Sequence, residues 1–162
     1  MEMMDIVNEN DQVLGSTSRE EIYAKQHYHR IAHVIIFNNK KEMALQLRSK
    51  TISFCPGHWT TAVGGHVQAG ETYEDAALRE YKEELGTTSK LKFIAKDYYA
   101  PPERKKFLGI FETTYNGPFK LEKGKVDKVE YFSLKKIQEM LDSGEKFHPE
   151  LTFILKKHYG LK

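Results

Sequence analysis

Residues 65–87 read GHVQAGETYEDAALREYKEELGT. The second half of this stretch has the marks of a helix from about Thr72 to Leu85. Thr72 can cap it with Asp75 at the third position, Glu74 and Asp75 favour the positive end of the dipole, and Gly86 is a natural C-terminal stop. On a wheel of about 100° per residue, Leu78, Tyr81 and Leu85 gather on one side and should face a core. Glu80, Glu83 and Glu84 gather on another side. Ala76 lies near that carboxylate face, and its small side chain would let a neighbouring loop come close. Like charges at this spacing repel and weaken a helix, although Arg79, one turn before Glu83, can pair with it. Two readings compete. One is an ordinary solvated, charged face. The other is a site for a hard divalent cation, which would cancel the repulsion among converging carboxylates and bind a substrate's phosphates as well. Such an ion can polarise a phosphoryl group, activate water and neutralise a leaving phosphate.

Working outward, DIVNENDQVLGS reads as two short strands around a polar turn, and Ser18, followed by Glu21, caps a short helix. IAHVIIFNNKKEMALQLRS reads as a hairpin, because two apolar runs flank the polar NNKK. Pro56 and Gly57 break the chain before HWTTAVGGHV, a strand ending in glycines. Beyond the carboxylate helix, further strands are expected near LKFIAKDYYA, KKFLGIFETTY and KVEYFSL, then helices at 134–143 and 149–159. This mixture argues for an α+β chain, an α/β/α sandwich on a mixed or antiparallel sheet, forming one domain over residues 1–162.

The totals narrow the function classes. The chain has 162 residues, 40% of them hydrophobic and 12% aromatic, which suits one globular core rather than disorder. A net charge of +2 implies no blanket nucleic-acid or membrane coat. The clearest basic run, Arg104, Lys105 and Lys106, reads as a solvated loop. The lone cysteine, Cys55, fits a reducing cytoplasm. No signal peptide and no membrane-spanning run is seen. The oligomeric state is not encoded in any pattern that can be read.

Residues 65–87 as a whole resemble the Nudix box of the MutT-like hydrolases: Gly, five residues, Glu, seven residues, then Arg-Glu-aliphatic-x-Glu-Glu-x-Gly-aliphatic. Its fixed positions are met by Gly65, Glu71, Arg79, Glu80, Glu83, Glu84 and Gly86. The two aliphatic positions depart, holding Tyr81 and Thr87. Weaker likeness runs through PGHW and the hairpin before it, and YFSLKKIQEML looks like the strand and helix that close many Nudix domains. The resemblance implies a metal-dependent hydrolase that cleaves a small-molecule diphosphate, typically a nucleoside diphosphate derivative, by water attack at phosphorus. Glu80, Glu83 and Glu84 would bind Mg²⁺ or Mn²⁺. Gly65, with Gly64, would supply a backbone carbonyl or an open loop beside the metal. Arg79 and Glu71 would orient the glutamates. Glu83 is the favoured acceptor of the water's proton, with Glu103, Glu112, Asp127 and Glu130 as alternatives outside the box.

HRIAHVIIFN and PGHWTTAVGGHVQAGE also resemble the isopentenyl diphosphate isomerase branch of this superfamily. His29 and His66 match histidines that bind metal in that isomerase, but Gly64 stands where it carries a cysteine acid/base. Isomerisation protonates a carbon–carbon double bond and needs that relay. The isomerase, and a catalytically inactive binding module, are therefore alternatives to the hydrolase. His27, His29 and His33 have odd, strand-like spacing and with His66 could form a second metal site or simply fill half-buried strand positions. Arg48 and Lys50 are candidates for phosphate contacts, with His29 and His66 as further substrate-side candidates. Tyr98, Tyr99 and Phe107 could stack on a base, or be ordinary strand core.

Overall fold

The computed structural model describes residues 2–102 and 104–162. The first segment is a small antiparallel ribbon, β1 (Met3–Val7) and β2 (Val13–Ser18), followed by α1 (Arg19–Ala24), whose first turn is capped by the Ser18 hydroxyl accepting from the Glu21 N–H. The centre of the molecule is a mixed sheet organised on β3 (His29–Phe37). β3 runs parallel to β8 (Lys106–Thr114) along its whole length, from His29 opposite Lys106 to Phe37 opposite Thr114. β7 (Lys92–Tyr99) extends the sheet beyond β8, antiparallel to it.

The expected hairpin is only half realised. β3 and β4 (Met43–Arg48) are paired at Phe37 and Met43 and then diverge. The reason is competition for an edge. β6 (Val63–His66) occupies that side of β3 from Ile31 to Val34, so β4 turns away and pairs with β5 (Trp59–Thr61) and β9 (Val126–Phe132). HWTTAVGGHV is thus two short strands, broken at Ala62, rather than one. The continuous apolar run of β3 reflects burial on both faces. Ile31 and Ile35 pack on one side with Leu45, Leu108 and Ile110 against α3 (Leu134–Asp142) and α4 (Pro149–His158). Ala32, Val34 and Ile36 point to the other side, against α2 (Tyr73–Leu85). The result is the expected α+β arrangement: an α/β/α sandwich on a mixed sheet.

α2 begins with a complete capping box between Thr72 and Asp75 and ends at Gly86 in the left-handed conformation, φ 74°. Its buried stripe is centred differently from the expectation. Ala76, Ala77, Tyr81 and Leu85 face the core, while Leu78 is half-buried and belongs to neither core cluster. Helix and sheet approach so closely that the alanines, not the leucine, fill the contact. The stripe therefore reaches around to Glu80 and Glu84, which are 7% and 1% exposed. Two carboxylates are carried under cover by the helix that should have displayed them. Because the cap fixes where this helix starts, Thr72→Ala should lower unfolding stability by about 1 kcal/mol in urea denaturation, without altering the sheet's circular dichroism.

Candidate active site

A cavity of about 280 Å³ opens where β6 passes over α2. Gly64, Gly65 and His66 supply one wall, Glu80 and Glu84 the next, with His33 and Ile31 from β3 beneath.

The carboxylate wall is organised by Arg79. Its Nε donates to Glu71 Oε2 at 2.7 Å and its Nη2 to Glu71 Oε1 at 2.9 Å, a two-pronged pairing. Nη2 also donates to the His66 carbonyl at 3.0 Å, and Nη1 to Glu80 Oε1 at 2.7 Å. Glu71 Oε1 in turn accepts from the Gln68 N–H at 2.8 Å, which fixes the loop before the helix. The Glu71 hydrogen bonds, more than any other contact, raise the Arg79 pKa and keep it charged. Gly65 lies against Glu80 so tightly that a Cβ there would stand 2.4 Å from Glu80 Cδ.

The two buried glutamates differ. Burial pushes Glu80 up, but Glu84, Lys125 and Arg79 together outweigh it and hold its pKa below the ordinary value. Burial, and then the neighbouring Glu80, push Glu84 well above its ordinary value. Glu84 Oε1 accepts from Gln46 Nε2 at 2.8 Å, whereas its Oε2 is buried without a hydrogen-bond partner among the described residues. Lys125 Nζ lies 3.5 Å from Glu80 Oε2 and 3.6 Å from Glu84 Oε2. Glu83 stays out at the rim: its side chain is 50% exposed and its contact to Arg79 is long, 3.4 Å. The expected convergence of three carboxylates is thus a convergence of two. Among the described residues no three His, Cys, Asp or Glu side chains form a ready-made metal cage. The donor set nevertheless fits a hard divalent cation. It offers hard oxygens, one buried and unpartnered, and an ammonium already stands beside them as a monovalent stand-in.

The four histidines do not form one cluster. His29 and His66 stack, with ring centroids 5.7 Å apart, and Tyr23 Oη lies 2.6 Å from His66 Nε2. His29 Nδ1 faces the His27 carbonyl at 3.1 Å, so that nitrogen carries the proton, and the buried Nε2 has no hydrogen-bond partner among the described residues. His27 contributes that carbonyl and otherwise stands apart. His33 belongs to a different network. Its Nδ1 lies 2.7 Å from Thr61 Oγ1 and its Nε2 2.8 Å from Glu150 Oε1, while Lys106 Nζ holds Glu150 Oε2 at 2.7 Å. Burial opposes the Glu150 charge, but His33 and then Lys106 hold its pKa well below the ordinary value. Gly64 sits opposite His33, and a Cβ at 64 would stand 3.0 Å from His33 Nδ1.

Of the phosphate candidates, Arg48 lines the cavity with its guanidinium tied to the Phe54 carbonyl, at 2.8 Å from Nη2. Lys50 is exposed and outside the cavity wall. The basic run is not simply a solvated loop. Arg104 lies 4.1 Å over the Phe54 ring at the cavity mouth, Lys105 lies over Tyr28, and Lys106 is buried on Glu150. Arg19 lines the same mouth. Tyr98 packs on Phe107 and Tyr99 on Phe153, all outside the cavity; Phe107 is buried in the sheet, whereas Tyr98 is exposed. Glu112 accepts from Tyr159 Oη, Glu130 pairs with Lys128, and Asp127 is exposed; none lines the cavity. Glu103 lies outside the described residues.

Sequence reasoning missed Gln46, Lys125, His148 and Glu150. Gln46 left a signal, a lone polar residue inside the apolar strand MALQLR. Lys125 left none, since only the pairing of β4 with β9 carries it to α2.

Burial pushes the pKa of both His29 and His148 down to about 4, from 6.5. Between those values the unfolded chain takes up protons that the folded chain refuses. Stability should therefore fall as pH falls from about 6.5 towards 4, with a slope approaching about 1.4 kcal/mol per pH unit for each histidine. Urea denaturation from pH 7 to 5 measures this, and His148→Gln should flatten the slope.

The chain matches the model of the NUDIX domain over residues 27–153. It is 30% identical over 131 residues to an uncharacterised Nudix hydrolase of Pseudomonas aeruginosa, covering 80% of this chain and 78% of that one. It is 30% identical over 142 residues to the uncharacterised Nudix hydrolase YfcD of Escherichia coli, covering 87% and 79%. Among solved structures, a Deinococcus radiodurans protein superposes with a TM-score of 0.86 at 24% identity, over 98% of this chain and 99% of that one. A MutT protein of Methanosarcina mazei gives 0.65 at 25% identity, over 77% and 87%. With the family model spanning most of its length, the chain belongs to the Nudix hydrolase family.

Proposed function

We propose that this protein is a Mg²⁺- or Mn²⁺-dependent pyrophosphohydrolase, cleaving the diphosphate linkage of a nucleoside diphosphate derivative or a related organic pyrophosphate by water attack at phosphorus. The observation that carries the reading is the pairing of Glu80 with a buried Glu84 whose Oε2 lacks a hydrogen-bond partner among the described residues, in a cavity also lined by Arg19, Arg48 and Arg104. A buried polar oxygen left without a hydrogen bond costs about 1–3 kcal/mol, and a bound ion is one way to offset that cost.

Glu80, Glu84 and the Gly65 carbonyl would hold the metal, with Glu83 joining from the rim. When bound, the ion polarises the phosphoryl group and neutralises the charge of the leaving phosphate. The protein's own part is division of labour. Arg79, anchored by Glu71, keeps Glu80 ionised and pointed. Gly65 leaves room for it. Gln46 occupies one oxygen of Glu84 so that the other faces the cavity. Glu83, half-exposed and only loosely held, has the capacity to accept the attacking water's proton. The arginines at the mouth bind the outer phosphate oxygens and orient the diphosphate for attack. The arrangement is read as one domain working in the cytoplasm.

The isomerase alternative is weaker on two counts. Gly64 offers no acid for carbon protonation, and a side chain there would press on His33. An inert binding module would retain the buried carboxylate pair without return.

The test is a panel of nucleoside diphosphate derivatives and organic pyrophosphates with Mg²⁺ and with Mn²⁺. The wild type should release a phosphate-containing product only when metal is present. Glu84→Gln should lose activity on the order of a hundredfold or more while keeping its fold. Failure to turn over any member of a broad panel contradicts the reading.

A further inference from the structure

Glu80 is contacted by two cations with different character. Arg79 is built in: it is anchored to Glu71, to the His66 carbonyl and to Glu80 by hydrogen bonds between 2.7 and 3.0 Å. Lys125 is not. Its ammonium stands 3.5 Å from Glu80 Oε2, 3.6 Å from Glu84 Oε2 and 4.0 Å from Glu122 Oε1. These are attractive ion-pair distances, but too long for strong hydrogen bonds. The side chain is 40% exposed and lines the cavity, so it has somewhere to go.

Its main chain, by contrast, is pinned. The Lys125 carbonyl accepts from the Ser49 N–H at 3.0 Å, and the Lys125 and Val126 N–H groups both donate to the Glu122 carbonyl. A flexible four-carbon stem on a fixed anchor can move its charge by several ångströms without moving the fold. The position it holds is special. It faces the oxygen of Glu80 that Arg79 leaves free and the one oxygen of Glu84 that Gln46 leaves free. Those are the two carboxylate oxygens left to hold a divalent ion, and an ammonium and a divalent ion repel each other too strongly to share them.

We propose that Lys125 is a resident placeholder cation: it neutralises the Glu80–Glu84 pair when no metal is bound, is displaced into the cavity when the metal enters, and there binds the substrate's diphosphate. The proposal rests on the metal-site reading above. It gives the site a coupling that the glutamates alone lack. Metal binding frees a positive charge for phosphate, and phosphate stabilises the displaced lysine, so metal and diphosphate favour each other's binding. In the absence of phosphate, Lys125 competes with the metal.

The test is Mn²⁺ binding to the intact protein without substrate, followed by electron paramagnetic resonance of free Mn²⁺, for wild type, Lys125→Met, Lys125→Arg and Glu84→Gln. Removing the competitor should tighten Mn²⁺ binding on the order of tenfold in Lys125→Met. Lys125→Arg, which retains the charge, should bind Mn²⁺ no more tightly than wild type. Adding inorganic pyrophosphate should then improve apparent Mn²⁺ affinity more in wild type than in Lys125→Met, after allowance for the pyrophosphate–Mn²⁺ complex in solution. Equal or weaker Mn²⁺ binding by Lys125→Met, with a normal melting curve, overturns the placeholder and leaves the metal site standing. Absence of any Glu84-dependent Mn²⁺ binding removes the metal site itself, and the placeholder with it.

Discussion

The structure around the cavity depends on one guanidinium. Arg79 is carried by α2, yet it reaches Glu71 in the preceding loop, the His66 carbonyl on β6 and Glu80 on its own helix. It therefore ties three pieces of chain at one point. With Arg79 in place, β6 can run close over the helix, and only a glycine at 65 fits the gap above Glu80. Removing Arg79 would strand Glu71 and Glu80 together, and because the arginine side chain is 23% exposed, solvent screening softens that cost. The same contact that positions the fold also positions a carboxylate, so packing and chemistry are not separable here.

Charge inside the cavity is divided into two groups with opposite degrees of completion. Elsewhere in the cavity lining, Glu150 has both oxygens engaged: His33 takes one and Lys106 the other, and His33 is itself held by Thr61. Both Glu150 oxygens are thus matched by short contacts, which tie α4 to β3 and β8. The Glu80–Glu84 pair is unfinished by comparison. Among the described residues Glu84 Oε2 lacks a hydrogen bond, and the cation that faces it, Lys125, stands 3.6 Å away. A saturated network gives rigidity, whereas an unsaturated one is poised for a ligand. This contrast, more than the number of acidic residues, separates the candidate active site from ordinary buried ion pairs.

Much of this was legible in the sequence, for identifiable reasons. The caps of α1 and α2, the stop at Gly86 and the apolar run of β3 are local signals, and they appear where the residues predict. The pattern of Gly65, Glu71, Arg79, Glu80, Glu83 and Glu84 marked the family, and Gly65, Glu80 and Glu84 of it line the cavity. What failed was non-local. The β3–β4 hairpin looked complete because its turn is good, but β6 competes for the same edge, and no local pattern reports that. The wheel put Leu78 in the core because leucine outranks alanine in hydrophobicity, whereas the close helix–sheet approach favours alanine. The four histidines do not gather: His29 stacks on His66, the His27 side chain stands apart, and His33 is claimed by Glu150 from the far end of the chain. Lys125 was invisible for the same reason.

The central claim is that Glu80 and Glu84, not the histidines, hold the divalent ion. Anomalous diffraction from crystals soaked in Mn²⁺ tests it most directly. A strong manganese peak bounded by the Glu80 and Glu84 carboxylates and the Gly65 carbonyl is expected. A peak between His29 and His66 with none at the glutamates would contradict it.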